Sequence, residues 1–276
     1  MAGRTLQGKV VVVTGASSGF GKGAALRFAE EGASLVLAAR RGDLLEELAR
    51  ECQGLGAKAP AVPTDVSRRE EVEKLCDSAV RAFARVVVWV NDAGVGGVGR
   101  FGGVPLDVHE HVIRTDLLGT LYGSYFAFRL FLKQKAGILI NLASELGALP
   151  AAHYASYCAA KFGVVGLTGS LRLEIGQHKL EGVHALAVLP GAHDTPFFDH
   201  AANYTEKALE APEPLFDPRN VVEVTLRLAA DPRDPRIVAN DGAVTIPNLS
   251  LADKAPARPP SRRPGSPNDS PGAVRS

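Results

Sequence analysis

Cysteine is scarce in this 276-residue sequence: Cys52, Cys76 and Cys158 are odd in number and widely separated. No CxxC and no Cys/His pair at ligand spacing occurs, which argues against a disulfide framework and against zinc, so no metal is expected. An excess of one charge is lacking too. Lys and Arg number 31 against 30 Asp and Glu, a formal net charge of +1, whereas nucleic acids and anionic membranes call for a basic surface. Long hydrophobic runs are also missing. The longest apolar stretch, Leu117–Leu132, is broken by Arg129 and is short for a membrane span. Met1–Lys9 has no apolar stretch of the signal-peptide kind. The expectation is a soluble, cytoplasmic protein with no membrane span and no nucleic-acid partner.

What is present is a hydrophobic content of 46%, enough for the core of one large α/β domain rather than two small ones. Short β-branched runs at Lys9–Thr14, Ser34–Ala39, Val86–Val90, Ile138–Ala143 and Val183–Leu189 read as strands, with weaker ones near Ala59–Pro63 and Arg236–Ala239. They are nearly continuous apolar runs, as in a parallel sheet covered on both faces. Helical patterns fill the gaps: Gly21–Glu31, Asp43–Cys52, Arg68–Phe83, Leu106–Lys133, Tyr154–Ile175 and Pro218–Ala230. Repeated β-α-β order predicts a Rossmann-type, doubly wound parallel sheet of about seven strands over residues 1–246, with helices on both faces. From Pro247 the last thirty residues hold seven prolines and almost no large apolar side chains. This Pro/Arg/Ser-rich tail, 247–276, is expected to be disordered.

The first strand ends in Thr14-Gly15-Ala16-Ser17-Ser18-Gly19-Phe20-Gly21 and a helix follows. Glycines there permit a tight turn and let backbone N–H groups approach a pyrophosphate at the positive end of the helix. Gly15, Ser17, Ser18, Gly19, Phe20 and Gly21 are thus candidate phosphate-binding residues. The second strand ends in Ala39-Arg40-Arg41, where a site for NAD would carry an acid to hold the ribose 2′-hydroxyl. A guanidinium pair suits the added 2′-phosphate of NADP, so NADP(H) is preferred and NAD(H) is the alternative. The competing reading is a solvated turn in which an Arg pairs with Asp43 or Glu46. Asp65 and Val66 close the third strand, where an adenine ring would lie; Asn91, Ala93 and Gly94 close the fourth, beside the cofactor crevice. Both runs also suit ordinary strand-ending turns.

Tyr157 and Lys161 stand one helical turn apart on one face. Alone that spacing means little, but three neighbours add to it. Ser144 closes the fifth strand, and Pro190-Gly191 and Thr195 follow the sixth, where a nicotinamide carboxamide needs polar contacts. All lie at carboxyl ends of strands, where open α/β sheets place ligands. Hydride transfer to a carbonyl needs a proton donor. A tyrosine with a pKa of about 10 sits roughly three units above neutrality, about 4 kcal/mol. An ammonium about 4 Å away contributes on the order of 4 kcal/mol at an effective dielectric near 20, so Lys161 is expected to bring Tyr157 down. Ser144 would hold the substrate oxygen.

From about Leu6 to Ala243 the chain resembles the short-chain dehydrogenase/reductase family, in its short single-domain form. The resemblance rests on the glycine loop, Asn91-Asp92-Ala93-Gly94, the Ser144/Tyr157/Lys161 set and Pro190-Gly191…Thr195. It implies NADP(H)-linked interconversion of a carbonyl and an alcohol, Lys161 on the nicotinamide ribose, and a homodimer or homotetramer built on the long helices. Two positions depart from the family pattern: Asn91-Asp92-Ala93-Gly94 stands for Asn-Asn-Ala-Gly, and Asp116 stands for a helix Asn whose main-chain carbonyl positions a water linked to the Lys. Asp116 is therefore a fourth candidate catalytic residue, one that could also divert Lys161.

His109 and His111 are two apart and point to different sides of a helix, a poor metal pair. His153 is read as a capping or surface residue, and Cys158 as packing. The Leu117–Leu132 stripe is either an oligomer surface or ordinary core. Two functions stand: an NADP(H)-dependent oxidoreductase acting on a small carbonyl or alcohol substrate with Tyr157 as acid/base, or a cofactor-binding scaffold or sensor with little turnover.

Overall fold

The structure is a computed structural model that describes residues 6–232, together with the backbone of 237–238 and 243–244. The proline-rich tail lies outside the described residues. In chain order the elements are β1 (Val10–Thr14), α1 (Gly19–Glu30), β2 (Ser34–Ala39), α2 (Gly42–Gly54), β3 (Ala61–Pro63), α3 (Arg69–Phe83), β4 (Val88–Asn91) and β5 (Gly97–Gly99). There follow α4 (Leu106–Val112), α5 (Gly119–Gln134), β6 (Gly137–Leu142), α6 (Ala155–Gln177), β7 (Val183–Val188), α7 (Phe197–His200), β8 (Ala202–Tyr204), α8 (Arg219–Ala230), β9 (Ile237–Val238) and β10 (Ala243–Val244).

Six strands form one parallel sheet in the order β3-β2-β1-β4-β6-β7. The span read as a weak last strand contains β9, which pairs antiparallel with β10. Continuous apolar strands follow from burial on both sides. In β1, Val11 and Val13 join Phe28, Leu35 and Leu228 in one core, while Val10 and Val12 join Leu75, Trp89 and Phe131 in the other. Helices α1, α2 and α8 thus cover one face, and α3 and α5 the other.

Strand order reverses between β1 and β4, and their carboxyl ends open the crevice at which doubly wound sheets bind ligands. Thr14 Oγ1 holds the two ends together, accepting the backbone N–H of Asp92 at 3.1 Å. Gly15, at φ +71°, packs so closely that a Cβ there would lie 2.7 Å from the Ala93 nitrogen.

The periodicity over Leu106–Lys133 predicts a single helix, but the structure divides it. A π-helical turn, Ile113–Leu118, separates α4 from α5 and buries Thr115 and Asp116. Such a turn takes one extra residue and is frequent at functional sites. Along the apolar stripe of α5, Gly123, Ala127 and Phe131 are core, whereas Leu121, Tyr125 and Leu132 are exposed. Among the described residues no helix is long and apolar enough to cross a membrane.

Candidate active site

A cavity of about 750 Å³ runs along the carboxyl ends of the strands. At one end it is lined by the loop between β1 and α1, including Gly15, Ser17, Ser18, Gly19 and Phe20. The first turn of α1 carries no acidic residue and Ser18 makes no side-chain cap, but the Asp92 carboxylate, which follows β4, lies against this turn at Gly21 and supplies a counter-charge from inside the protein. Gly21 sits behind this loop against the Gly15 carbonyl and does not line the cavity. The Asp92 carboxylate accepts its backbone N–H.

Arg40 and Arg41, both exposed, line the same end. Arg41 does not pair with Asp43 or Glu46. Its Nη2 donates to Ser17 Oγ and Ser18 Oγ, each at 3.0 Å, which ties the turn after β2 to the phosphate loop. Asp65, Val66, Ala93 and Gly94 continue the lining.

Asn91 is placed elsewhere. Register sets it opposite Asn141, and its Nδ2 donates to Asn141 Oδ1 at 2.8 Å while its Oδ1 accepts the Trp89 indole N–H at 2.8 Å. Asn141 in turn donates to Thr168 Oγ1 at 2.9 Å. The side chain therefore ties β4 to β6 and α6, inside the sheet and outside the cavity.

Ser144, Tyr157, Lys161, Pro190 and Gly191 line the same cavity, and Thr195 lines it beside Gly19 of the glycine loop. Ser144 Oγ accepts the Leu146 N–H at 3.1 Å and approaches the Pro190 carbonyl at 3.4 Å; it also hydrogen-bonds Tyr157. The Lys161 ammonium lies 5.4 Å from the Tyr157 ring centroid, 3.1 Å from the Leu142 carbonyl and 3.6 Å from Asp116 Oδ2. Asp116 is fully buried, accepts the Val95 N–H through Oδ1 at 2.8 Å, and leaves Oδ2 with no hydrogen bond. Its main-chain carbonyl accepts the Thr120 hydroxyl at 2.7 Å. The ion pair with Lys161 is thus the contact that balances Oδ2.

The electrostatics depart from the expectation that Lys161 alone brings Tyr157 down. Burial pushes the phenol up, and the Asp116 and Asp92 carboxylates add to that push, together outweighing Lys161 and the Ser144 hydrogen bond. Burial likewise raises Asp92 to about 7 and Asp116 to about 6, with Lys161 opposing in both. Burial alone would lower Lys161, but Tyr157, Asp116 and Asp92 together hold its ammonium above the usual range. Desolvation thus drives the phenol and both carboxylates up, Lys161 opposes it in all three, and the three groups together raise the ammonium.

Sequence reasoning set His109 aside, yet it is a structural link. Its buried ring bonds Ser156 Oγ at 3.0 Å through Nδ1 and the Phe101 carbonyl at 3.1 Å through Nε2, steadying the residue before Tyr157. His153 is exposed and takes φ +70°, with its carbonyl accepting the Gly99 N–H at 3.0 Å.

A doubly wound parallel sheet, a glycine turn on a helix N-terminus and a Tyr/Lys/Ser set along one cavity define a Rossmann-type nucleotide-dependent protein. The match to the short chain dehydrogenase family extends over residues 9–205. The chain belongs to that family, and it is an oxidoreductase of the kind that acts on CH–OH or C=O groups. It is 33% identical over 232 residues to the uncharacterized oxidoreductase YxnA of Bacillus subtilis, a match covering 83% of this chain and 65% of that protein. It is 38% identical over 193 residues to 3beta-hydroxysteroid dehydrogenase 1 of Eggerthella lenta, covering 69% and 73%. Among solved structures, an actinorhodin polyketide ketoreductase with NADPH superposes with a TM-score of 0.75 at 28% identity, covering 87% of this chain and 97% of that one. A family member from Burkholderia phymatum in complex with NAD gives 0.69 at 28%, covering 83% and 82%.

Proposed function

We propose that this protein is an NADP(H)-dependent oxidoreductase that transfers a hydride between nicotinamide and a carbonyl or secondary alcohol, with Tyr157 as the acid/base. The observation that carries the reading is one cavity with Ser17, Ser18, Arg40 and Arg41 at one end and Ser144, Tyr157 and Lys161 at the other. The glycine turn and the backbone N–H groups at the start of α1 suit a pyrophosphate, and Arg41, already oriented by Ser17 and Ser18, suits a 2′-phosphate beside Arg40. Asp65 and Val66 are assigned to the adenine, and Ala93, Gly94, Pro190, Gly191 and Thr195 to the nicotinamide half.

When bound, the dinucleotide supplies or accepts the hydride. Tyr157 donates a proton to the substrate oxygen in reduction and takes it back in oxidation. A phenol held above its ordinary value by burial is protonated at neutral pH, which suits carbonyl reduction. Ser144 donates a hydrogen bond to the same oxygen. Lys161 holds the ribose and stabilises negative charge on the phenol, while Asp116 holds Lys161 in place through its side chain.

A second reading, a cofactor-binding scaffold or sensor, is favoured by one observation: the Lys161 ammonium is engaged by Asp116. Tyr157→Phe separates the two. The enzyme reading expects turnover of a carbonyl panel to fall by at least about a hundredfold while NADPH still binds, measured by its fluorescence. NADPH binding with no turnover by the wild type across carbonyls and alcohols would establish the scaffold.

We also assign the chain to a homodimer or homotetramer through α5 and α6, where Leu121, Tyr125, Leu132 and Phe162 are exposed. Sedimentation equilibrium of the wild type and Tyr125→Lys measures this. A cytoplasmic setting is consistent with the three free thiols, all buried.

A further inference from the structure

The run Gly94-Val95-Gly96-Gly97-Val98-Gly99 goes beyond what a strand-ending turn needs, and the structure shows what it receives. β5 pairs in parallel with β8, Gly97 opposite Ala202 and Gly99 opposite Tyr204, and the Ala202 N–H donates to the Gly96 carbonyl at 2.9 Å. A Cβ on Gly96 would lie 2.9 Å from both Phe197 Cζ and Ala201 Cβ; one on Gly99 would lie 2.9 Å from Tyr204 Cβ. The absence of side chains along this edge therefore lets the 197–204 segment lie flush against the floor of the site.

Docked there, Phe197 stands with its ring centroid 5.3 Å from that of Tyr157, and Phe198 meets Phe197 edge-on at 5.3 Å. Tyr154 flanks Tyr157 on another side at 6.4 Å. The proton-bearing phenol is thus set among aromatic faces. Charge selects in the same direction. Among the described lining residues the only Lys or Arg side chains are Arg40, Arg41 and Lys161. The arginines stand at the phosphate-loop end, and Lys161 is engaged by Asp116. Glu145, directly after Ser144, and Glu210 also line the cavity. His193, whose Nδ1 meets the Gly191 carbonyl at 3.1 Å, and His200 line it as well; a carboxylate or phosphate on the substrate would meet acids and aromatic faces with no free Lys or Arg to balance it.

We propose that the site takes a neutral, apolar, ring-bearing ketone or secondary alcohol, that Phe197 is the face that selects it, and that Gly96 and Gly99 hold that face in position. This rests on the oxidoreductase reading only for placing the carbonyl at Tyr157. Phe197 acts by contact with the substrate skeleton; the two glycines act through Phe197 as positioning residues.

The test uses the full chain loaded with NADPH and two measurements, calorimetric binding and steady-state turnover. Decalone and cyclohexanone are the neutral ring probes; pyruvate and acetoacetyl-coenzyme A are the anionic ones. The expected result is that decalone binds and is turned over at least about tenfold better, in 1/Kd and kcat/KM, than either anion. Phe197→Ala should raise the KM for decalone by on the order of tenfold and more than it lowers kcat, and Phe197→Tyr should restore it. Gly96→Val should reproduce the KM rise, with faster proteolytic cutting between 196 and 205, while the Kd for NADPH changes less than about twofold. Preference for an anion, or a decalone KM and Kd indifferent to both Phe197→Ala and Gly96→Val, overturns the proposal and leaves the oxidoreductase reading standing. Phe197-dependent binding of decalone with no turnover of any probe supports the pocket's selectivity and overturns the enzyme reading instead.

Discussion

Lys161 and Asp116 form an ion pair in which the carboxylate oxygen has no other partner, and the ammonium is drawn between it at 3.6 Å and the Leu142 carbonyl at 3.1 Å. The acid beside the ammonium offsets part of the charge that would otherwise act on Tyr157. The proton affinity of the phenol is therefore set in part by a residue that does not line the cavity.

Asp116→Asn removes a charge that raises the phenol. With Tyr157 as the proposed acid/base, alcohol oxidation needs the deprotonated phenol, and its rate is expected to rise with pH through the Tyr157 value. In the variant that rise should move to lower pH by about one unit. A pH–rate profile of kcat for alcohol oxidation checks this; an unmoved profile would show that Asp116 does not reach Tyr157.

Asp92 and Asp116 titrate near 7 and 6 in the folded chain, against about 4 when unfolded. Between about pH 4 and 7 the native state then holds more protons than the unfolded one, so these groups stabilise the fold at low pH and lose that contribution as pH rises through their folded values. Asp92→Asn should be close to neutral at pH 5 and should raise Tm by about 2–4 °C at pH 8. Calorimetric scans of both proteins at the two pH values measure the difference.

Arg40→Asp with Arg41→Ala should shift the ratio of NADPH to NADH affinity toward NADH by at least about tenfold, since each lost guanidinium–phosphate bond is worth about 1.5–3 kcal/mol. Arg41→Ala alone should also loosen the phosphate loop, because its bonds to Ser17 and Ser18 go with it, and so weaken both cofactors. Equilibrium titration with each cofactor decides it; unchanged relative affinities would refute the assignment.

Asn91→Ala should cost about 2–4 kcal/mol of stability, because it strands the Trp89 indole N–H and Asn141 inside the sheet. Urea denaturation gives the figure. NADPH affinity at a temperature where the variant is folded should stay within about threefold, since Asn91 lies outside the cavity.

The sheet was legible because burial on both faces forces the same signal, an unbroken apolar run, onto its inner strands, whereas the edge strand β3, only partly buried, reads weakly. The glycine loop, Arg40, Arg41 and Ser144 follow strand ends, where chain order fixes the neighbourhood, and Tyr157 and Lys161 follow from helical spacing on α6; that these residues line one cavity was therefore legible. Three features were not. Asn91 reads locally as part of a cofactor turn, and only the β4–β6 register turns it toward Asn141. The π-helical turn at Ile113–Leu118 has no breaker residue to announce it, and its buried Asp116 meets Lys161 only through the tertiary fold. His109 was passed over because its partners, Ser156 and Phe101, are a matter of packing between α4, α6 and a loop. One missed feature did leave a mark: the glycines after Gly94 are more than a turn requires, and they record the close approach of 197–204.

The π-helical turn also acts as a rotary offset. Each residue in a helix advances the face by about 100°, and the extra one between α4 and α5 sets Asp116 inward while Leu121 and Tyr125 look outward. Deleting a single residue there would spin everything downstream on α5 by that angle, turning its buried stripe, Gly123, Ala127 and Phe131, away from the core and Leu121 and Tyr125 away from the surface in one stroke. The interior chemistry and the exterior surface of this chain are keyed to the same notch.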